Sequence, residues 1–208
     1  MIAAWPDGGL TPLIFVAWIP LLFLAEREKR QYRFFLFAFL SVLIWNTGTT
    51  WWIWNATGPG AVSAIIANSF LMCIPLCGFY IFKRKYGNNI GYLSLMVFWL
   101  SFEYVHLNWQ LSWPWLTLGN VFATHTGWIQ WYEFTGTSGG SLWVLLANMA
   151  IFLLLKSWKA SPPISSTIIT MAVLILPLGV SYLVHPGNSV VAAANNVIIV
   201  QPNIDPYT

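Results

Sequence analysis

The sequence predicts an all-α polytopic membrane bundle of about six transmembrane helices. Of the 208 residues, 58% are hydrophobic and only 7% are charged, whereas soluble domains carry about 25% charged residues. Too little charge remains to cover a surface exposed to water. All nine basic residues fall in three short segments between apolar stretches, without the basic stripe that would indicate a nucleic-acid partner.

Six apolar stretches follow one another along the chain. Four of them are long enough, at 1.5 Å per residue, to cross a hydrocarbon core of roughly 30 Å. The first and the fifth are short, so they must extend into flanking residues, thin the bilayer or rest on neighbouring helices. The stretches are Leu10–Ala25, Phe34–Trp54, Ala61–Phe82, Ile90–Leu107, Leu142–Leu155 and Ser166–Val184.

The positive charges predict how the bundle is oriented. They lie in Arg27–Arg33, in Lys83–Lys85, and at Lys156 and Lys159. Because basic residues favour cytoplasmic loops, these three segments are expected in the cytoplasm. With six spans, both ends of the chain would then face the other side, which places the C-terminus in the periplasm.

Tryptophans collect near the segments predicted to be non-cytoplasmic. The plain interpretation is an aromatic belt, but such belts form at both membrane surfaces. The asymmetry also fits a lipid-handling surface or a docking face for an outer domain. The segment Asn108–Ser141 is too apolar for a solvated loop and is expected to form short helices in the interface. The tryptophans concerned are Trp51, Trp52, Trp54, Trp109, Trp113, Trp115, Trp128 and Trp131.

Glu103 and His106 stand three residues apart and so share one face of the fourth predicted helix. A Glu-x-x-His pair is half of a di-iron carboxylate site, which needs a second such pair and two further Glu. The chain does not supply these, so no metal is expected. Because an ionisable group within a span is unusual, Glu103 is expected to face the bundle and to form hydrogen bonds.

Two further motifs have structural interpretations. Gly136-Thr137-Ser138-Gly139-Gly140 matches the G-x-S-x-G string of serine hydrolases but lacks the strand that precedes it there. It is expected to be a glycine turn, with Ser138 or Ser141 capping the fifth helix. Cys73 and Cys77 are expected to be small apolar residues of the third helix, and Pro75 to kink it.

The chain ends in VIIVQPNIDPYT (Val197–Thr208), the pattern of a buried strand followed by a polar turn. A lone strand has nothing to pair with. The segment is therefore expected to begin a further α/β domain. Composition and pattern by themselves do not indicate a reaction.

Three segments resemble the bacterial apolipoprotein N-acyltransferase family, in its Bacteroidetes-type branch. They are TTWWIWNATGPGAV (Thr49–Val62), WLSFEYVHLNWQLSWPWLTLGN (Trp99–Asn120) and the terminal VIIVQPNIDPYT. The second holds the family's Glu at Glu103 and its Pro-Trp-Leu pattern from Pro114. Their order and spacing make the resemblance specific over essentially the whole chain.

The resemblance implies a membrane domain over residues 1–190 and the start of a nitrilase-like (carbon–nitrogen hydrolase) domain over residues 191–208. The family's catalytic Glu, Lys and Cys would lie beyond Thr208. No catalytic residue is therefore assigned in this chain, which is expected to lack the family's first membrane helix and to be inactive alone. No cofactor is expected. The residues expected to face substrate or lipid are Trp113, Pro114, Trp115, Trp52 and Glu103.

For the full enzyme, the resemblance implies transfer of an acyl chain from a phospholipid to the N-terminal amine of diacylglyceryl-cysteine in lipoproteins, through a cysteine thioester. The expected partners are membrane lipids and the apolipoprotein, with the protein a monomer in the bacterial inner membrane. Three alternatives stay open: a half-enzyme completed in trans by a nitrilase-like chain, a non-enzymatic membrane scaffold, and a small transporter.

Overall fold

The computed structural model of the protein describes residues 1–158 and 163–184. Over these residues the chain is helical and contains no strand, which confirms the predicted all-α membrane bundle. The predicted domain boundary after residue 190 and the strand at Val197–Val200 lie outside the described residues. The helices are α1 (Ile19–Arg27), α2 (Gln31–Thr50), α3 (Gly58–Tyr86), α4 (Asn88–Leu107), α5 (Tyr132–Ser157) and α6 (Ile164–Val184).

Five of the helices in the described part of the chain, α2 to α6, are long and apolar enough to cross a membrane. Four of them match the predicted stretches to within a few residues. The fifth stretch is longer than predicted, because α5 begins at Tyr132 and continues through a kink at Gly136 (φ 62°, ψ −169°). Glycine adopts this left-handed conformation without the clash that a Cβ would cause.

The first predicted stretch is not one helix but two. Thr11–Phe15 form a 3-10 helix, and only the nine residues Ile19–Arg27 form α1. Pro12 and Pro20 lie in the first turns of these two helices. Proline fits the first turn of a helix but lacks the N–H that would continue a preceding helix. Pro12 therefore fits the start of the 3-10 helix, and Pro20 explains why this stretch is divided before α1.

Asn148 of α5 fills the break in this stretch. Its side-chain oxygen accepts a hydrogen bond from the Trp18 backbone N–H at 2.8 Å, and its Nδ2 donates one to the Ile14 carbonyl at 2.7 Å. Asn148 is 1% exposed. Non-helical backbone is tolerated at membrane depth where it is buried and hydrogen-bonded in this way.

The core of the bundle is aromatic. α3 packs against both α2 and α4, and α5 packs against α1, α4 and α6. Trp18 meets Trp99 edge to face, with ring centroids 4.5 Å apart, which joins the start of α1 to α4. The largest fully buried aromatic side chains are Trp18, Trp45, Trp99, Phe34, Phe79, Phe122 and Phe152.

Glu26 joins three other helices at one end of the bundle. Its carboxylate lies 3.0 Å from Lys83 Nζ on α3 and 3.1 Å from Lys156 Nζ on α5. It also accepts a hydrogen bond of 2.5 Å from the Tyr92 hydroxyl on α4. Burial would raise the pKa of Glu26, but these three hydrogen-bond donors together lower it to about 2. The predicted basic segments therefore meet at one end, here called the basic end: Arg27–Arg33, Lys83–Lys85 and Lys156.

Candidate functional site at the tryptophan-rich end

Four of the five candidate residues meet at the end of the bundle opposite the basic end. The ring of Trp52, just after α2, meets that of Trp115 edge to face at 5.4 Å, and Trp115 meets Trp113 at 5.1 Å. Trp52 and Trp115 are 40% and 44% exposed. Pro114, between Trp113 and Trp115, is exposed as well. This surface is here called the tryptophan-rich end: Trp52, Trp113, Pro114 and Trp115.

The segment between α4 and α5 carries three of these residues. As predicted, it forms short helices, of the 3-10 type, at Pro114–Leu116, Leu118–Phe122 and Thr126–Trp128. They do not all lie on the surface of the bundle. Leu116, Leu118, Val121 and Phe122 are between 0% and 4% exposed and belong to the hydrophobic core. The segment thus folds back into the bundle and presents its tryptophans from a fixed base.

Glu103 on α4 holds this base in place. It is 5% exposed, so it faces the bundle and not the lipid. Its Oε1 accepts hydrogen bonds from Trp99 Nε1 and from the Leu118 backbone N–H, each at 2.8 Å. The Leu118 N–H opens a 3-10 helix and so has no partner within that helix. Glu103 supplies the partner and ties the segment to α4.

α5 also bonds to this segment, at Gly119, the residue next to Leu118. The Gly119 N–H donates to Ser141 Oγ at 3.0 Å, and the Tyr132 hydroxyl donates to the Gly119 carbonyl at 2.9 Å. Ser141 therefore bonds to Gly119 and does not cap α5 as expected. A Cβ at Gly119 would clash with the Thr137 carbonyl. The close approach of the two backbones thus requires glycine at this position.

A buried polar cluster extends from Glu103 towards α2 and α3. His106 Nε2 lies 2.8 Å from Asn68 Oδ1, and Asn68 Nδ2 donates to Asn46 Oδ1 at 2.6 Å. All three are at most 6% exposed. Neither asparagine was predicted to have a role. The signal that could have identified them is the presence of amides inside strongly apolar spans, since buried polar groups are normally paired.

A small cavity of about 10 Å³, room for about one water molecule, lies where this cluster meets the segment between α4 and α5. Glu103, His106 and Trp113 all line it. Within residues 1–158 and 163–184, Glu103 Oε2, His106 Nδ1 and Trp113 Nε1 are buried without a protein hydrogen-bond partner. The cavity therefore lies between the polar face of α4 and the tryptophan-rich end.

An apolar furrow of about 510 Å³ runs between α3 and α4 and ends beside the tryptophan-rich end. Its walls include Pro75 and Gly78 on α3 and Phe98 on α4, and its end is formed by His106 and Trp109. Its mostly apolar lining suits a hydrocarbon chain. In the described part of the chain, no three His, Cys, Asp or Glu side chains are grouped so that they could hold a metal ion.

The fold and the tryptophan-rich end define a polytopic α-helical membrane domain. Its segment between α4 and α5, here called the connector, is folded into the bundle. The chain belongs to the apolipoprotein N-acyltransferase family: the profile described as "Apolipoprotein N-acyltransferase N-terminal domain" matches residues 1–150. This confirms the resemblance noted in the sequence.

Two curated relatives, both named "Apolipoprotein N-acyltransferase", match nearly the whole chain. The protein of Chlorobaculum tepidum is 31% identical over 206 residues, which are 98% of this chain and 39% of the relative. That of Geobacter metallireducens is 26% identical over 220 residues, 97% of this chain and 41% of the relative. The chain thus spans about 40% of the length of either relative. No solved structure matches it.

Proposed function

We propose that this chain is the membrane platform of an apolipoprotein N-acyltransferase and carries none of the catalytic groups itself. The tryptophan-rich end would face the periplasm and support the nitrilase-like catalytic domain. The observation that carries the proposal is the connector between α4 and α5, which is fixed to the bundle by Glu103 and Ser141 and presents aromatic side chains. The basic end would face the cytoplasm, and the C-terminus the periplasm.

The reaction proposed for the whole protein is acyl transfer in two steps. A cysteine thiolate attacks an ester carbonyl of a phospholipid, so that a thioester forms and a lysophospholipid leaves. The α-amino group of the diacylglyceryl-cysteine then attacks the thioester, an amide forms, and the thiolate is released. Both substrates are anchored in the membrane, which explains why the catalytic domain needs a bundle beneath it.

The role proposed for this chain is to guide lipid to the catalytic domain. The furrow between α3 and α4 would take an acyl chain, and Trp52, Trp113 and Trp115 would line the approach at the interface, where Trp is favoured. Glu103 would act as a positioning residue, since it is buried beneath these side chains. The protein is proposed to work as a monomer, without a cofactor or a nucleic-acid partner.

One feature, the break in the first predicted span, favours the alternative of a small transporter. Transporters contain discontinuous helices near the membrane midplane, and the first predicted span here is discontinuous. Both amide atoms of Asn148 are, however, used to satisfy the broken backbone. They are not free to bind a substrate, so the break supports a structural role. In the half-enzyme alternative, the catalytic groups would lie on a separately encoded chain. In the scaffold alternative, the protein would take part in no acyl transfer.

A chimeric enzyme tests the proposal. This chain would replace the matching part of the Chlorobaculum tepidum relative, and N-acylation of a lipoprotein would be measured by mass spectrometry in cells depleted of their own enzyme. We expect acylation, and a loss of about tenfold or more when Trp113 and Trp115 are both changed to alanine, since large aromatic contacts carry much of a binding energy. Trp158→Ala, an exposed tryptophan at the basic end, is the matched control.

The outcomes separate the alternatives. A chimera that is stably inserted but inactive would contradict the platform role. Equal activity in the Trp113/Trp115 variant and the Trp158 variant would contradict the lipid approach only. Acylation by this chain co-expressed with the separate catalytic part of the relative would support the half-enzyme.

A further inference from the structure

The basic end carries more positive charge than its own carboxylates neutralise. In residues 1–158 and 163–184, Glu26 makes both of the ion pairs, with Lys83 and Lys156. The Glu28 carboxylate accepts a hydrogen bond from the Arg30 backbone N–H at 2.9 Å and so closes the turn before α2. Six other cations lie at this end: Arg27, Lys29, Arg30, Arg33, Arg84 and Lys85.

Two of these cations are held together by one hydroxyl group. Arg30 Nη1 donates to the Tyr32 hydroxyl oxygen at 3.1 Å, and Arg33 Nε donates to the same oxygen at 3.3 Å. All three side chains are exposed. Both guanidinium groups have further N–H donors free to bind an anion, because each group carries five. Two like charges fixed close together favour an anion between them.

Arg30 and Tyr32 line the mouth of an open furrow of about 620 Å³ between the start of α2 and α3. Arg33 does not line the furrow itself but is held beside it by its hydrogen bond to the Tyr32 hydroxyl. Arg30, Gln31 and Tyr32 line its polar part, and Phe35 and Cys77 line its apolar part. The furrow therefore changes from charged to apolar within about one turn of α2.

The apolar part continues along the helices towards the middle of the bundle. The rings of Phe35 and Phe70 are 6.2 Å apart, and those of Phe39 and Phe70 are 4.4 Å apart. Phe70 is 49% exposed, so this aromatic strip lies on the outside of the bundle. It forms an apolar path that leads away from the two arginines along the direction of the spans.

We propose that this furrow is a binding site for an anionic phospholipid of the leaflet at the basic end. The lipid phosphate would lie between Arg30 and Arg33, and an acyl chain would lie along Phe35, Phe39 and Phe70. The site selects this occupant because it offers an anion-binding mouth and an apolar floor in one continuous surface. A soluble anion would leave the floor uncovered, whereas a phospholipid covers both parts. Basic pockets between spans are suited to anionic headgroups.

This site is distinct from the lipid approach proposed at the tryptophan-rich end. It lies at the opposite end of α2, which runs from Gln31 at the basic end to Thr50 beside Trp52. Lipid bound there belongs to the other leaflet and takes no part in acyl transfer. Its expected effect is to hold α2 against α3 at the membrane surface.

Lipid selectivity of the purified full chain is the test. The chain would be placed in phosphatidylcholine nanodiscs containing a minor fraction of spin-labelled phosphatidylglycerol or, separately, spin-labelled phosphatidylcholine. Electron paramagnetic resonance then gives the fraction of each labelled lipid that is immobilised on the protein. We expect a clear preference for phosphatidylglycerol, reduced about tenfold in the Arg30→Gln/Arg33→Gln variant, since each basic residue near the surface contributes strongly to anionic-lipid binding.

The matched control is Arg27→Gln/Lys85→Gln, which removes the same charge from the same end. These two cations contact Phe23 and Tyr86, and neither bonds to Tyr32, whose hydroxyl holds Arg30 and Arg33 at the furrow. The control should keep the preference to within about twofold, because neither of its cations belongs to the group that Tyr32 holds together at the furrow. All four residues are exposed, so both variants should fold, and circular dichroism checks this. Equal loss in both variants would overturn the site in favour of general attraction to a basic surface. No preference in the unmodified chain, or full competition by soluble glycerol phosphate, would overturn it as well.

Discussion

The Glu103 carboxylate and the Leu118 backbone N–H, fifteen residues apart in the chain, are joined by a buried hydrogen bond of 2.8 Å. This bond connects a membrane span to the connector that follows it. Without it, the connector would lose this hydrogen bond to α4 within its buried stretch, which begins at Leu116. The placement of Trp113 and Trp115 at the tryptophan-rich end therefore depends on an acidic residue that neither side chain has to touch.

Removal of this anchor should destabilise the protein, whereas an isosteric amide should not. Glu103→Ala leaves two buried donors, Trp99 Nε1 and the Leu118 N–H, without a partner, at a cost of about 1–3 kcal/mol for each. Glu103→Gln keeps an oxygen that can accept both bonds, and should cost less than about 1 kcal/mol. Unfolding in detergent, followed by circular dichroism, measures the difference.

Glu133→Ala is the control for this series, because Glu133 is an exposed carboxylate at the same end of the bundle. It should change stability by no more than about 0.5 kcal/mol. If Glu103→Ala proved as stable as Glu133→Ala, the connector would not depend on Glu103.

Gly119 should not tolerate a side chain. Gly119→Ala would place a methyl group against the Thr137 carbonyl, and backbone cannot move aside as a flexible side chain can. We expect a loss of about 1–3 kcal/mol, typical of overpacking, and partial release of the connector. Leu116 is 4% exposed, so cysteine-directed labelling of a Leu116→Cys variant, carried out with and without the Gly119 change and with Cys77 replaced by serine, would measure that release.

Gly127→Ala provides the matched control, since Gly127 lies in the same connector and a Cβ there would meet nothing within 4 Å. Its effect should stay within about 0.5 kcal/mol. A stable Gly119→Ala variant with unchanged labelling would show that α5 and the connector separate easily.

The sequence predicted the burial of Glu103 but not its partner. The three-residue spacing to His106 puts both side chains on one face of α4, and both are buried. The bond to Leu118 depends on how the connector folds back, which apolar composition alone does not determine. Composition indicated that the connector is not a solvated loop and led us to expect short helices in the membrane interface, whereas part of the connector is buried in the bundle.

The first span shows a second limit of sequence reasoning. Leu10–Ala25 has the hydropathy of a transmembrane stretch, and hydropathy does not report where a helix is interrupted. Pro12 and Pro20 were visible in the sequence, yet proline is tolerated within membrane helices when neighbours satisfy the freed backbone. The neighbour here is Asn148, more than a hundred residues later, and nothing local to either segment connects the two.

Asn148 should therefore be among the most sensitive positions of the bundle. Asn148→Leu keeps the branched shape of the side chain but replaces its amide by methyl groups, and so removes the partners of the Trp18 N–H and the Ile14 carbonyl. Two unsatisfied buried backbone groups cost about 1–3 kcal/mol each. Thermal unfolding of the purified chain should show a marked decrease in the midpoint.

Ser41→Leu is the corresponding control on α2. Ser41 is exposed and its hydroxyl bonds only to the Phe37 carbonyl of its own helix. This change should be neutral or slightly stabilising in a lipid-facing position. A neutral Asn148→Leu variant would mean that the broken backbone finds other partners.

The Glu26 cluster should make the bundle sensitive to acid. The pKa of Glu26 is about 2 in the folded chain, against an ordinary value of 4.5. Because the folded-state pKa is the lower one, the stabilisation is fully present above pH 4.5 and is lost as the pH falls towards 2. The difference corresponds to about 3 kcal/mol at most, less the screening at a side chain that is one-fifth exposed.

Glu26→Gln tests this directly, since it removes the titrating group while keeping an acceptor for Tyr92. The variant should be less stable than the unmodified chain at pH 7, and the two should converge between about pH 4.5 and 2. Glu28→Gln is the control, because the Glu28 carboxylate forms no ion pair with the described residues and closes only a local turn. A stability difference for Glu26→Gln that did not change over this pH range would show that α1, α3 and α5 are held together by packing, with the carboxylate charge contributing nothing.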